Sequence, residues 1–174
     1  MIVGIDSGSK AGVSVLAACG TINSTFSSHA TATVITSENK NDQKYQSMLE
    51  VTMKCVSAYT SRNKDTPKEL IVFMNTSPGD QINLYQENYS QKLKERVKST
   101  FNKEVDLTVV MVNLRNSERF FTTDAAPRNV FPGTLVSNTI VSKNYDFYIV
   151  SQQSRSGCTV PNHYKVITCD SKLE

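Results

Sequence analysis

A chain of 174 residues, 39% hydrophobic and 20% charged, has the length and composition of one ordinary globular domain, which argues against disordered, fibrous and two-domain architectures. Nineteen Lys and Arg against sixteen Asp and Glu leave a net charge of +3, a weakly basic field that permits nucleic-acid binding without arguing for it. Four cysteines accompanied by only two histidines and no Cys-x-x-Cys pair exclude zinc-finger spacing.

Isolated reduced thiols fit a cytoplasmic or nuclear protein. No charged leader with an apolar run opens the chain and no stretch reaches membrane length, so neither secretion nor a membrane partner is expected. Three Asn-x-Ser/Thr matches, at Asn23, Asn75 and Asn88, are then chance occurrences in an Asn/Ser/Thr-rich sequence.

Ile2 to Ile5 and Val13 to Ala18 are short apolar runs around a Gly-Ser-Lys turn, Asp6 to Gly12, and predict a buried β-hairpin. Ala30 to Ile35 predicts a third antiparallel strand, completing a meander. After the polar stretch Ser37 to Asp42, the residues Tyr45, Met48, Leu49, Thr52, Val56 and Tyr59 recur at helical spacing, for about five turns. Lys64-Asp65-Thr66-Pro67 breaks that helix, because proline disfavours helical geometry in the residue before it. Leu70 to Met74 is a continuous apolar run, as in a central strand covered on both faces. Tyr89, Leu93, Val97 and Phe101 then repeat at four-residue intervals and predict a second helix, followed by a strand at Leu107 to Val112. Strand, helix, strand is the pattern of a parallel crossover. Further strands are expected at Thr134 to Ile140, Asp146 to Val150 and Tyr164 to Thr168, punctuated by Pro127, Pro132-Gly133 and Pro161.

Asp6 follows the first apolar strand, at the carboxyl end where α/β sheets present reactive groups. Val3-Gly4-Ile5-Asp6-Ser7-Gly8 occurs in two superfamilies. In ribonuclease-H-like nucleases the aspartate holds a divalent metal, and in actin-like and sugar-kinase ATPases the small-residue turn approaches phosphates. An aspartate that merely binds turn amides accounts for the motif equally well. The ATPase reading needs a second glycine-rich turn, and the chain contains no Gly-Gly pair. A two-metal nuclease needs converging carboxylates, yet the central strand ends Phe73-Met74-Asn75, offering an amide. A neutral amide oxygen brings no negative charge, so a resident divalent cofactor at Asp6 is not expected. Asp80 is the nearest carboxylate that a turn could return to the site.

Taken together these segments resemble the Piwi domain of eukaryotic Argonautes, over nearly the whole chain. Met1 to Lys10 is similar to the family's opening Gly-x-Asp strand, and Gly20-Thr21-Ile22 with Ala30-Thr31 to its next two strands. Leu70 to Gln81 is similar to the segment that carries the family's second aspartate. Val109 to Phe121, ending Arg119-Phe120-Phe121, matches a segment ending in arginine and two aromatics. Pro132-Gly133-Thr134, Asp146 to Gln152 and Pro161-Asn162-His163-Tyr164-Lys165-Val166 complete the series in the family's order.

The resemblance implies an α/β, ribonuclease-H-like mixed sheet, an antiparallel β-meander plus parallel strands, flanked by helices. It implies a single domain over residues 1–174 without the family's C-terminal helices. The family's slicing enzymes use two strand-end aspartates, a loop glutamate and a late histidine. Asp6 matches the first, Asn75 replaces the second, Glu38 is the one glutamate in the expected loop, and the histidine belongs to the C-terminal helical region. The domain is therefore expected not to be an enzyme, as in nematode-type Argonautes whose corresponding strand also ends in asparagine. Arg115, Arg119 and His163 fall where the family touches guide phosphates, and a guanidinium fork suits phosphate oxygens. The partners this implies are a small guide RNA, target RNA, other Argonaute domains and silencing-factor proteins. A Piwi-like protein-interaction scaffold without RNA binding of its own is the alternative.

Overall fold

The computed structural model describes residues 1–36, 41–75, 82–123, 125–141 and 146–170. The candidate glutamate Glu38 and the nearby carboxylate Asp80 lie outside the described residues.

The chain opens with β1 (Ile2–Lys10), β2 (Val13–Thr21) and β3 (His29–Thr36), an antiparallel meander. Helix α1 (Asn41–Asn63) follows, then β4 (Glu69–Asn75). The next helical stretch has three parts: α2 (Ile82–Tyr85), a π-helical segment (Gln86–Gln91) and α3 (Lys92–Phe101). It leads into β5 (Asp106–Asn113), the two-residue β6 (Leu135–Val136), β7 (Asp146–Ile149) and β8 (Asn162–Cys169). All described strands share one mixed sheet in the order β3-β2-β1-β4-β5-β8-β7-β6, parallel only at β1–β4 and β4–β5. The expected meander, crossover and late strands are all present, and the architecture is the ribonuclease-H-like one.

The helices lie against one face. Val3, Ile5, Leu70, Val72, Met74, Leu107 and Val109 point toward them and are at most 4% exposed, packed with Leu49, Val56, Tyr89, Leu93 and Val97. Burying each such side chain contributes roughly 1.5–3 kcal/mol before the entropy of ordering is subtracted. Gly20 lets α1 approach, because a Cβ there would lie 3.0 Å from the Cys55 Cβ. The helix stops at Asn63, where Lys64 turns left-handed at φ 59°, three residues ahead of Pro67.

Three expectations change. Asp6 to Lys10 is strand, not turn: the reversal is confined to Ala11 and Gly12, both at positive φ (52° and 79°), the conformation of a two-residue hairpin that follows strand twist. Small polar side chains hid this strand because they face solvent and leave no apolar alternation. The segment Thr134 to Ile140 shrinks to Leu135–Val136, since Leu135 and Ile140 are more than half exposed and have no core to face. Finally, β4 is covered on one face only. Ile71 and Phe73 on its other side are half-buried, because no described helix packs there.

Candidate functional site

Pairing of β1 with β4 ends at Ile5 opposite Met74, so the next residues, Asp6 and Asn75, sit side by side where the two parallel strands part. Asp6 stays paired with Ala17 on β2, and Asn75 with Val112 on β5. Strand alternation turns Asp6 and Asn75 away from the helices, onto the uncovered face. There they help line a shallow groove of about 550 Å³ with Gly4, Ala17, Phe73 and Leu114.

The geometry of the pair is specific. Asp6 Oδ1 accepts a hydrogen bond from Asn75 Nδ2 at 2.9 Å and another from its own neighbour, the Ser7 amide, at 2.8 Å. The expected turn is absent, so the amide that Asp6 binds belongs to β1 itself, and Asp6 lies within that strand at the point where its pairing with β4 ends. One carboxylate and one amide supply a single formal negative charge, and the amide turns its donor end toward that carboxylate. Among the described residues no group of three His, Cys, Asp or Glu side chains converges as a metal cage would require.

The other three candidates lie beyond β5 and on β8. Arg115 and Arg119 are exposed on the segment that follows β5, which is anchored to the start of β8 by Asn116 Nδ2 donating to the Pro161 carbonyl at 2.8 Å. Arg119 Nη1 donates to the carbonyls of Asn116 (3.1 Å) and Glu118 (2.6 Å), so part of its fork braces its own loop. His163 pairs with Asn113 and Tyr148 in the sheet. Asn113 follows Val112, which shares the face of Asn75, so His163 points to the opposite face from Asp6. The structure brings Asp6 and Asn75 together, puts His163 on the opposite face of the sheet, and leaves Arg115 and Arg119 exposed on the segment that follows β5.

His163 is held more tightly than sequence reasoning anticipated. Its Nε2 meets Asp146 Oδ1 in a very short contact, and its ring stacks on Tyr148 at 4.2 Å between centroids. Phe120 meets Tyr148 edge-on, and Lys165 Nζ stands 4.0 Å from Asp146 Oδ2. Asp146 is only 7% exposed, so its charge is compensated by these partners rather than by water. Burial, then the nearby Glu118 and Asp146 carboxylates, push the Tyr148 hydroxyl above its ordinary range. The signal that could have found this cluster is period-two spacing: Asp146 and Tyr148 on β7 oppose Lys165 and His163 on β8.

A mixed sheet with three central parallel strands, an opening meander and two polar groups side by side where β1 and β4 part defines a ribonuclease-H-like domain. The Piwi domain family model matches residues 1–174, and the chain belongs to the Piwi domain family. It is 31% identical to the protein argonaute-3 of Drosophila melanogaster over 176 residues, covering 98% of this chain and 20% of that protein. It is 36% identical to Piwi-like protein 1 of Gallus gallus over 116 residues, or 64% of this chain and 13% of that protein. The chain thus spans a small fraction of these relatives. Among solved structures, Drosophila Piwi superposes with a TM-score of 0.80 at 19% identity, over 99% of this chain and 24% of that one. Kluyveromyces polysporus Argonaute with a guide RNA gives 0.79 at 21% identity, over 99% and 23%. Family membership also sets aside the actin-like ATPase alternative.

Proposed function

We propose that this domain is the slicing-inactive Piwi module of an Argonaute-type protein, helping to hold a small guide RNA in RNA silencing. The observation that carries the reading is the hydrogen bond from Asn75 to Asp6. A divalent ion at this place requires two carboxylates to offset its charge, and here the second strand end offers an amide donor that occupies the first carboxylate instead. With hydrolysis set aside, what the domain offers RNA is the rim formed by Arg115, Arg119 and the His163 cluster, where exposed guanidinium groups meet phosphate oxygens. The solved relative that carries a guide RNA supports the same partner. Target RNA, neighbouring Argonaute domains and silencing-factor proteins are the further partners this reading implies.

The groove on the uncovered face, with Phe73, Val112 and Leu114, favours a second reading in which the domain works as a protein-binding scaffold. Fluorescence anisotropy with a 5′-phosphorylated RNA across a salt series separates the two. The proposal predicts binding that weakens steeply with salt, falls by an order of magnitude or more in an Arg115→Ala/Arg119→Ala variant, and ignores magnesium. Absence of RNA binding at low salt would overturn it in favour of the scaffold.

A further inference from the structure

The two edges of the described sheet are not alike. At one end β6 is only two residues long, a common way of keeping an edge from pairing with another chain, whereas β3 at the other end runs for eight residues, His29–Thr36. We propose that the open edge of β3 is a self-association surface, where a second copy of this chain pairs antiparallel with the first and joins the two sheets into one. The surface is independent of the RNA-holding reading above.

The register of β3 decides which of its backbone groups face outward. It pairs with β2 without a slip, Thr21 opposite His29 and Val15 opposite Ile35, and just beyond the ladder the Ile22 amide donates to the Ser28 carbonyl at 2.9 Å. Hydrogen-bonded pairs alternate in an antiparallel ladder, so Ala30, Ala32 and Val34 turn their amides and carbonyls toward β2. Those of Thr31, Thr33 and Ile35 point to the open edge, where no described strand pairs with them. All three residues are exposed. A row of unpaired backbone donors and acceptors is a template for another strand.

This edge lacks the ordinary guards. β3 contains no Lys, Arg, Asp, Glu, proline or glycine, its pairing shows no bulge, and none of its residues is left-handed. Ile35 is 70% exposed and lies beside Val15 and Val13, themselves 39% and 43% exposed, so the same corner carries an apolar patch.

Symmetry selects a second copy as the occupant. The outward set Thr31, Thr33 and Ile35 is centred on Thr33. A two-fold axis through that residue, perpendicular to the sheet, sets Thr33 opposite its own counterpart and Thr31 opposite Ile35, and each such pair exchanges both N–H···O bonds. The same axis keeps the helix-covered faces of both sheets on one side. It lays threonine against threonine and the exposed Ile35 against a threonine, cross-strand pairs that are favourable, and it opposes no like charges. Edge pairing alone buries little area, so the dimer is a weak one governed by concentration.

Sedimentation velocity over a concentration series, on the full chain and on Thr33→Pro and Thr33→Lys, tests the proposal, together with residue-resolved amide hydrogen exchange at low and high concentration. Thr33→Pro removes an outward amide that β2 does not use, and so keeps the ladder within each copy. Thr33→Lys keeps the amide but sets two ammonium groups face to face at the axis. The expected result is a monomer–dimer equilibrium in wild type, weakened roughly tenfold or more in each variant because the two-fold axis doubles every loss. The amides of Thr31, Thr33 and Ile35 should exchange more slowly at high concentration, while that of Phe26 in the preceding turn stays unchanged. Should Thr33→Pro fail to fold, Thr33→Lys and the exchange data decide. A chain that stays monomeric at every concentration overturns the proposal and leaves the edge to a foreign strand. A dimer that forms equally in Thr33→Lys, or that leaves the three amides unprotected, overturns it as well, because it uses another surface.

Discussion

Thr52 has one proton to give and two oxygens beside it. Its Oγ1 donates to the Met48 carbonyl one turn back at 2.8 Å and lies 2.8 Å from the Tyr89 hydroxyl, with both side chains fully buried. Because the threonine proton is already given to Met48, Tyr89 must be the donor of the second bond. Thr52→Val then strands a buried hydroxyl and should cost about 1–3 kcal/mol, whereas Tyr89→Phe removes the donor cleanly and should cost only about 0.5–1.5 kcal/mol. Urea denaturation of the two variants checks the order. Thr52 was legible as part of the helical stripe, but its partner was not, since only tertiary packing of the second helix on α1 brings Tyr89 across.

The same buried layer sets a pH dependence. Burial, and then the neighbouring Cys19, push the Cys55 thiol from 9.0 up to about 11. Burial likewise raises Tyr89 well above its ordinary value. In the unfolded chain these groups ionise first, so between pH 9 and 11 the unfolded state binds fewer protons than the folded one and stability falls as pH rises. Below pH 9 the contribution is constant. Thermal unfolding followed from pH 8 to pH 10.5 should show Tm declining above pH 9, with a shallower decline in Cys55→Ala.

At the scale of elements, the least legible feature is the junction between the second helix and β8. The β5–β8 pairing slips between Val109 and Val110, which face Thr168 and Val166, leaving Ile167 as the extra residue of a bulge. Gln86, the first residue of the π-helical turn, donates its Nε2 to the Ile167 carbonyl, and Thr168 donates to Ser90 at the turn's far side. The wider turn thus carries side chains to a bulge whose carbonyl the ladder does not satisfy. Neither half announces itself in sequence, because four-residue spacing from Tyr89 to Phe101 predicts an ordinary helix and a bulge needs no special residue. Gln86→Leu should destabilise by about 0.5–1.5 kcal/mol, and hydrogen exchange at β8 should quicken more than at β1.

For the whole molecule, pattern reasoning reached the order of elements and the mixed sheet because apolar periodicity reports burial against helices. It failed where side chains face solvent or the uncovered face: the polar half of β1, the end of β6 and the outer side of β4. For the candidate sites it reached residue types but not faces. Asp6 and Asn75 are brought together where β1 parts from β4, whereas His163 belongs to a separate cluster organised by Asp146 and Tyr148. His163 lies on the opposite face of the sheet from Asp6 and Asn75.

Calorimetric titration of Mn²⁺ into wild type, Asp6→Asn and Asn75→Asp tests the slicing-inactive reading most directly. It predicts no Asp6-dependent binding in wild type and the appearance of binding in Asn75→Asp, where a second carboxylate replaces the amide donor beside Asp6. Stoichiometric Mn²⁺ binding by wild type, abolished in Asp6→Asn, would contradict it and restore a metal-dependent nuclease at this site.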